Sequence, residues 1–201
     1  PYETGLTPRG LIDEGVLHPD FARLNSPAIP LDRPLYVHQE VSVRKFLAGR
    51  NLVVSTGTGS GKTESFLLPI LNELVKESKQ GTLGPGVRAL LLYPMNALAN
   101  DQLKRLRQIL AVAPDITFGR YTGETEKDPK TALSDFLANN PGQQRLPNEL
   151  LSREEMRQAP PHLLLTNYAM LEYLLLRPAD IDLFDGPYSG TWRFIVLDEA
   201  H

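Results

Sequence analysis

Two short stretches hold residue types that could do chemistry. The first, TGTGSGKT at residues 56–63, sets Gly57, Gly59 and Gly61 ahead of a lysine and a hydroxyl, Lys62 and Thr63. A backbone that bare lets N–H groups turn inward around an anion. A helix beginning near Gly61 would aim its positive end at the same point. In such a loop the lysine reaches the outer phosphates of a nucleotide and the next hydroxyl reaches Mg²⁺. The second stretch, FIVLDEAH at 194–201, is an apolar run that delivers Asp198 and Glu199. Asp198 suits the water shell of Mg²⁺ and Glu199 suits polarising an attacking water, the acidic roles of nucleoside triphosphate hydrolysis. A glycine-rich turn alone is commonly just a turn, and an acidic pair after a strand is commonly a polar loop. Together in one chain they point to a site that binds a nucleoside triphosphate with Mg²⁺. One position departs from the usual P-loop expression: Thr56 stands where it asks for glycine.

Those residues need strands and helices to hold them. Asn51–Ser55 reads as a short buried strand before the loop, and a helix is expected from about Gly61 to Lys79. His38–Ala48 has Val41, Phe46 and Leu47 near helical spacing, with Gly49 as a natural stop. VRALLLYP is a continuous apolar strand ended by Pro94. NALANDQLKRLRQIL is an amphipathic helix with a stripe of Leu98, Leu103, Leu106, Ile109 and Leu110. ITFGRYTG and HLLLTN read as strands, Tyr168–Leu176 as a helix, and WRFIVLDEAH as a last strand. Strands apolar on both faces that alternate with helices predict an α/β fold, a mostly parallel sheet with helices on both faces. Ligands of such sheets sit at the carboxyl ends of the strands, where the acidic pair would lie. Residues 1–34, rich in Pro and Gly, read as an irregular lead-in with a short helix around Pro19–Leu24. The polar stretch from Glu124 to Pro161 should hold two short helices, the second opened by a Ser152-x-x-Glu155 capping box.

Composition narrows the class. A chain of 201 residues, 41% hydrophobic and 22% charged, suits a soluble globular domain with a sizeable core. It has no cysteine, which excludes disulfides and thiolate metal sites in this segment and agrees with a cytoplasmic setting. The longest apolar run, LLLTNYAMLEYLLL, is interrupted by Asn and Glu and is too short to span a membrane. A net charge of −3 gives no bulk field for nucleic acid, so binding there would use local groups and backbone amides. KRLR at 104–107 is a candidate for that, or simply a solvated helix face.

Over residues 35–201 the chain resembles the first RecA-like lobe of superfamily 2 helicases of the DEAD/DEAH-box type. TGTGSGKT resembles their motif I, in which Thr56, Gly57, Thr58, Gly59, Ser60, Gly61, Lys62 and Thr63 would surround the phosphates. Helicase P-loops often carry Ala or Thr at the first position, which accommodates Thr56. LDEAH resembles motif II, with Lys62 and Glu199 catalytic, Thr63 and Asp198 on Mg²⁺, and His201 coupling two lobes. LYVHQ resembles the adenine-reading motif, in which Gln39 would pair with the base edge and Tyr36 pack on its face. YPMNALANDQ, YTGE and LLLTNYAMLEYLL resemble three motifs that touch the backbone of one nucleic-acid strand. By position that role falls to Pro94, Asn96, Thr122, Gly123 and Thr166. Two departures stand out: Met95 where relatives have Thr, and Asn167 where Thr-Pro is common. The lettering is similar to prokaryotic DNA helicases of DISARM-type anti-phage systems and MrfA-like repair helicases. That implies single-stranded DNA or a DNA junction as partner rather than RNA. It also implies a second RecA-like lobe, so the segment is read as part of a longer protein.

Beside the helicase or translocase reading stand three others: an ATPase that remodels a protein partner, a nucleotide-gated binding module, and a small-molecule kinase. His38 reads as a capping or packing residue, His18 and His162 as ordinary loop or strand-edge residues, Trp192 as a packing anchor, and the leucines of MLEYLLL as core.

Overall fold

Proline fixes φ near −65° and lacks an N–H, so it suits the first turn of a helix. The lead-in uses this twice. Pro8 opens α1 (Pro8–Asp13), capped by the Thr7 hydroxyl, and Pro19 opens a 3₁₀ turn (Pro19–Leu24) capped by His18 Nδ1. Leu11, Leu17, Phe21, Leu24 and Leu31 are at most 1% exposed. The segment expected to be irregular is therefore an ordered module with its own apolar core. The computed structural model describes residues 2–57 and 59–199, so Thr58 and His201 lie outside the described residues.

The chain divides into two compact units, Pro1–Leu83 and Gly84–His201. In the first, α2 (Val37–Leu47) and α3 (Lys62–Lys79) pack on each other, and α3 also packs on the 3₁₀ turn. Asn72 of α3 accepts a 2.7 Å hydrogen bond from the His18 backbone N–H. The buried face of α2 is Gln39, Ser42 and Val43, not the expected stripe, and Val41 is 41% exposed. The expected strand at 51–55 is absent: these residues have no regular structure, and Val53 is 97% exposed. An extended segment is held by ladder partners, and among the described residues this one has none.

The second unit is built on five parallel strands. In chain order they are β1 (Ala89–Tyr93), β2 (Phe118–Arg120), β3 (Glu149–Leu150), β4 (Leu163–Asn167) and β5 (Phe194–Leu197), arranged β3-β2-β4-β1-β5. Between them run α4 (Asn96–Leu110), α5 (Pro129–Asn139), α6 (Arg153–Gln158), α7 (Tyr168–Leu176) and α8 (Asp182–Asp185). Successive strand residues face opposite sides. Leu90, Leu92 and Leu164 join Met156, Met170, Leu174 and Leu183 from α6, α7 and α8 in one core. Ala89, Leu91 and Tyr93 point the other way and are as well buried, and α4 lies on β1, β2 and β4.

Three details hold the connections. Asn148 Nδ2 donates to the carbonyls of Leu110, Ala113 and Ile116, satisfying groups that the end of α4 leaves open. The expected capping box at Ser152 and Glu155 is formed in full at the start of α6. His162 ties Thr117 and the Gly84 carbonyl together through both ring nitrogens, so it serves the fold. Trp192 is a packing anchor as expected: it stacks on Phe184 at 5.1 Å and donates to the Leu183 carbonyl. One expectation fails: Leu175 and Leu176 are 57% and 76% exposed rather than core. Edge strand β5 leaves Ile195 and Leu197 largely open.

Candidate nucleotide and nucleic-acid site

In the first unit the glycine-rich loop leads directly into α3. Gly61 is the N-cap residue in the left-handed region, at φ 73°. The dihedral calls for glycine, and a Cβ there would stand 2.5 Å from Gln39 Nε2 and displace that amide. Gly59 is also left-handed, at φ 71°, and a Cβ at Gly57 or Gly59 would meet only open space. The loop is thus bare and open where backbone N–H groups would meet an anion, and α3 presents its N-terminus there. Lys62 and Thr63 form the first turn of that helix and are half-buried. Thr56 Oγ1 lies 2.6 Å from Ser60 Oγ, so the residue standing in for glycine closes the loop by a hydroxyl pair.

Gln39 is 3% exposed and bridges this unit. Its Oε1 accepts from the Tyr36 N–H at 2.9 Å and its Nε2 donates to the Gly61 carbonyl at 2.9 Å. The residue expected to read a base therefore also positions the phosphate loop, a role that spacing alone did not reveal. Tyr36 stacks against His38, with ring centroids 5.8 Å apart.

In the second unit three segments far apart in sequence meet at the carboxyl ends of β1, β2 and β4. Asn96 Nδ2 donates to Glu124 at 2.9 Å, and Asn167 Nδ2 donates to Asn96 Oδ1 at 2.6 Å. Pro94 and Gly123 are exposed and Asn96 is half-buried. Thr122 and Thr166 are fully buried. Thr166 Oγ1 donates to the Tyr121 carbonyl at 2.6 Å, and Thr122 Oγ1 accepts from the Glu124 N–H. Their hydroxyls brace the loops from within, which leaves Pro94, Asn96 and Gly123 as the outward members of the expected set. Sequence reasoning missed Arg153. Its guanidinium donates to the carbonyls of Thr122 and Thr125 and lies 5.3 Å over the Tyr121 ring. The only signal was its place just after the capping serine.

Asp198 follows β5 at the same carboxyl edge. Its N–H donates to the Leu92 carbonyl at 3.0 Å and its carbonyl accepts from the Tyr168 hydroxyl at 3.1 Å. Glu199 stands at φ 52°, the left-handed region that side chains rarely adopt. Burial, and then the nearby Asp198 carboxylate, push the Tyr93 phenol well above its ordinary value, so it stays protonated. The KRLR segment divides. Lys104 is exposed near Asp101, whereas Arg107 forms a two-pronged pair with the buried Glu149 at 2.8 and 2.7 Å.

A parallel sheet with an acidic pair at its carboxyl edge, in a chain with a glycine-rich loop capping a Gly-Lys-Thr helix, defines a P-loop domain of RecA-like architecture. The chain belongs to the DEAD/DEAH box helicase family, whose pattern matches residues 36–201. It is 34% identical to Druantia protein DruE of Escherichia coli, over 89% of this chain and 14% of that protein. It is 29% identical to ATP-dependent helicase Lhr-Core of Methanothermobacter thermautotrophicus, over 81% of this chain and 17% of that protein. Among solved structures it is similar to DUF1998 helicase MrfA bound to DNA and AMPPNP. There the TM-score is 0.61 at 25% identity, covering 90% of this chain and 20% of that one. The fold also matches Mycobacterium smegmatis helicase Lhr bound to ssDNA and AMP-PNP, with a TM-score of 0.60 at 21% identity over 90% and 20% of the two chains. The chain thus spans between 14% and 20% of the length of these relatives.

Proposed function

We propose that this chain is the ATP-binding lobe of an ATP-dependent helicase or translocase acting on nucleic acid, with DNA the preferred substrate. The observation that carries the reading is the meeting of residues 94–96, 122–124 and 166–168 at one sheet edge, joined by Asn96–Glu124 and Asn96–Asn167 hydrogen bonds and adjoining Asp198. Such a face suits the sugar-phosphate backbone and carries no sequence information, as a motor that tracks any sequence needs. The choice of DNA rests on the likeness to MrfA, whose solved complex contains DNA.

In this reading ATP lies on the loop at 56–63. Gly57, Gly59 and Gly61 supply N–H groups, Lys62 neutralises the outer phosphates, and Tyr36 and Gln39 hold the base. Gln39 would have to share its amide between the base and Gly61. Mg²⁺ is held by Thr63 and Asp198 with phosphate oxygens. A cation kept largely by its substrate and water needs only one or two protein ligands. Among the described residues no group of three or more His, Asp or Glu gathers as a metal cage. Glu199 polarises the attacking water. Residues 35–201 form this lobe, a second RecA-like lobe completes the site, and His201 couples the two. No described helix is long and apolar enough to cross a membrane, and the reading puts the protein in the cytoplasm with its nucleic acid. The motif resemblance to DISARM-type and MrfA-like helicases extends the reading to a large prokaryotic DNA helicase of anti-phage defence or repair, on single strands or junctions.

The test is the ATPase rate of the native protein with oligothymidine, oligouridine or neither. Stimulation by oligothymidine above oligouridine is the expected result. A rate indifferent to both polymers would transfer the motor to a protein partner. Tight ATP binding without hydrolysis would make the chain a nucleotide-gated binding module.

A further inference from the structure

A hydrogen-bonded chain runs from the outward loop at Gly123–Glu124 to the acidic pair. Glu124 accepts from Asn96, Asn96 accepts from Asn167, and Asn167 caps α7 by accepting from the Met170 N–H at 2.7 Å. The next residue, Tyr168, starts that helix and donates its hydroxyl to the Asp198 carbonyl. From the other side, the Asp198 N–H is held by Leu92 of β1, two residues before Pro94. Both backbone groups of Asp198 are therefore gripped by elements that lead to the proposed nucleic-acid face.

The bond from Tyr168 falls where orientation matters. The carbonyl it holds belongs to the peptide joining Asp198 to Glu199, and Glu199 is the described non-glycine residue with a positive φ. The Glu199 N–H, on the same peptide, donates to Asp198 Oδ1 at 3.1 Å. A peptide in that region persists only while its surroundings over-determine it. Turning this plane would swing the Glu199 side chain and release the Asp198 carboxylate from its local bond. Tyr168 is 37% exposed, so its phenol can respond to a change at the start of α7 without disturbing the core.

We infer that Tyr168 is a positioning residue that relays occupancy of the nucleic-acid face to Asp198 and Glu199. A strand laid on Asn96 and Gly123 tightens the Asn96–Asn167 contact, fixes the first turn of α7, and holds the Asp198–Glu199 peptide in its hydrolytic orientation. Without a strand the phenol contact is looser and the peptide spends less time in that orientation. The inference rests on the helicase reading above.

The test compares wild type with Tyr168→Phe and Asn167→Ser in the native protein. Phenylalanine keeps the ring and removes one donor. Serine keeps the helix cap but cannot reach Asn96. ATP hydrolysis is measured with and without saturating oligothymidine, alongside oligothymidine affinity and binding of a non-hydrolysable ATP analogue. Loss of one neutral hydrogen bond should lower the stimulated kcat about three- to tenfold. The strand-free rate should fall less than the stimulated one, so that the stimulation ratio drops, while KM for ATP and analogue binding stay unchanged. Oligothymidine affinity should weaken by no more than the same factor, and the double variant should be no worse than either single one. Equal loss of the strand-free and stimulated rates would overturn the relay, because it would mark Tyr168 as general support. So would full stimulation in Tyr168→Phe, or additive effects in the double variant. Absence of any stimulation in wild type would overturn the helicase reading and the relay together.

Discussion

A lysine ammonium beside a triphosphate balances charge that a partly dry loop would otherwise leave uncompensated. Lys62 starts α3 behind Gly61, so Lys62→Ala should lower kcat/KM for ATP by about 10²-fold or more in the native protein. Steady-state kinetics with ATP titration checks this, and near-normal kcat/KM would remove Lys62 from the site. Glu199→Gln keeps shape and loses the basic carboxylate, so nucleotide should bind normally while turnover falls by about 10². Binding of a labelled ATP analogue beside single-turnover hydrolysis separates the two effects, and parallel losses would make Glu199 structural. At this scale the sequence showed which residue types matter but not which way they face. The pattern that marked Thr122 and Thr166 contains no burial term, and both hydroxyls turn inward. Gln39 was legible as a site residue, yet its 2.9 Å bond to the Gly61 carbonyl depends on how α2 meets the loop.

Elements differ in how far sequence determines them. Helix starts were legible where a side chain within four residues supplies the cap, as at Ser152 and Glu155. Strands buried on both faces were legible because β1 and β4 are apolar at both parities. Long-range polar pairing was not. Arg107 read as part of a basic helix face, but it meets Glu149, 42 residues away and 1% exposed in its side chain, and it also lies 5.0 Å over the Phe136 ring. Removing the guanidinium would strand a carboxylate beside β2. Arg107→Ala should therefore cost about 3–5 kcal/mol, whereas Arg107→Met with Glu149→Leu should be close to neutral. Urea denaturation of the three proteins decides it, and a small loss in the single variant would mean that water reaches Glu149. A second test uses pH. Burial would raise the Glu155 carboxyl, but hydrogen bonds from Arg145 and Ser152 outweigh it and hold the group below its ordinary value of 4.5. A depressed acid contributes stability that is complete above 4.5 and is lost as pH falls through the lower folded value. The gap in urea midpoint between wild type and Glu155→Gln should thus be constant at neutral pH and close on acidification. A gap independent of pH would mean that charge at Glu155 does not hold α6.

For the whole molecule the relevant facts are a net charge of −3 and a proposed face made of loop ends rather than a basic surface. Counterion release counts the phosphates that lysine and arginine neutralise, not the charge of the chain, so an acidic protein can still bind with a measurable salt slope. Three segments converge at the sheet edge, and their outward members are uncharged, so the slope in log affinity against log salt on single strands should be shallow, no steeper than about −2. A protein that wrapped the strand with a basic field would give a much steeper line. Because the outward groups are Pro94, Asn96 and Gly123, with no described base-edge reader among them, affinity should be the same for oligothymidine and mixed-sequence strands. Thr122→Ala should leave the slope unchanged, since its hydroxyl faces inward, and should instead lower stability by about 1 kcal/mol through the lost loop bond. Asn96→Ala should weaken all sequences alike, because it removes both a strand contact and the link between Glu124 and Asn167. Fluorescence anisotropy of labelled strands across a salt series measures the slope and the affinities on the native protein, and urea denaturation measures the stability loss in Thr122→Ala. A slope much steeper than this would place the strand on a basic surface outside this face. A variant at Asn96 that altered preference among sequences would show that the face reads bases, and a motor indifferent to sequence would then have to bind its strand elsewhere.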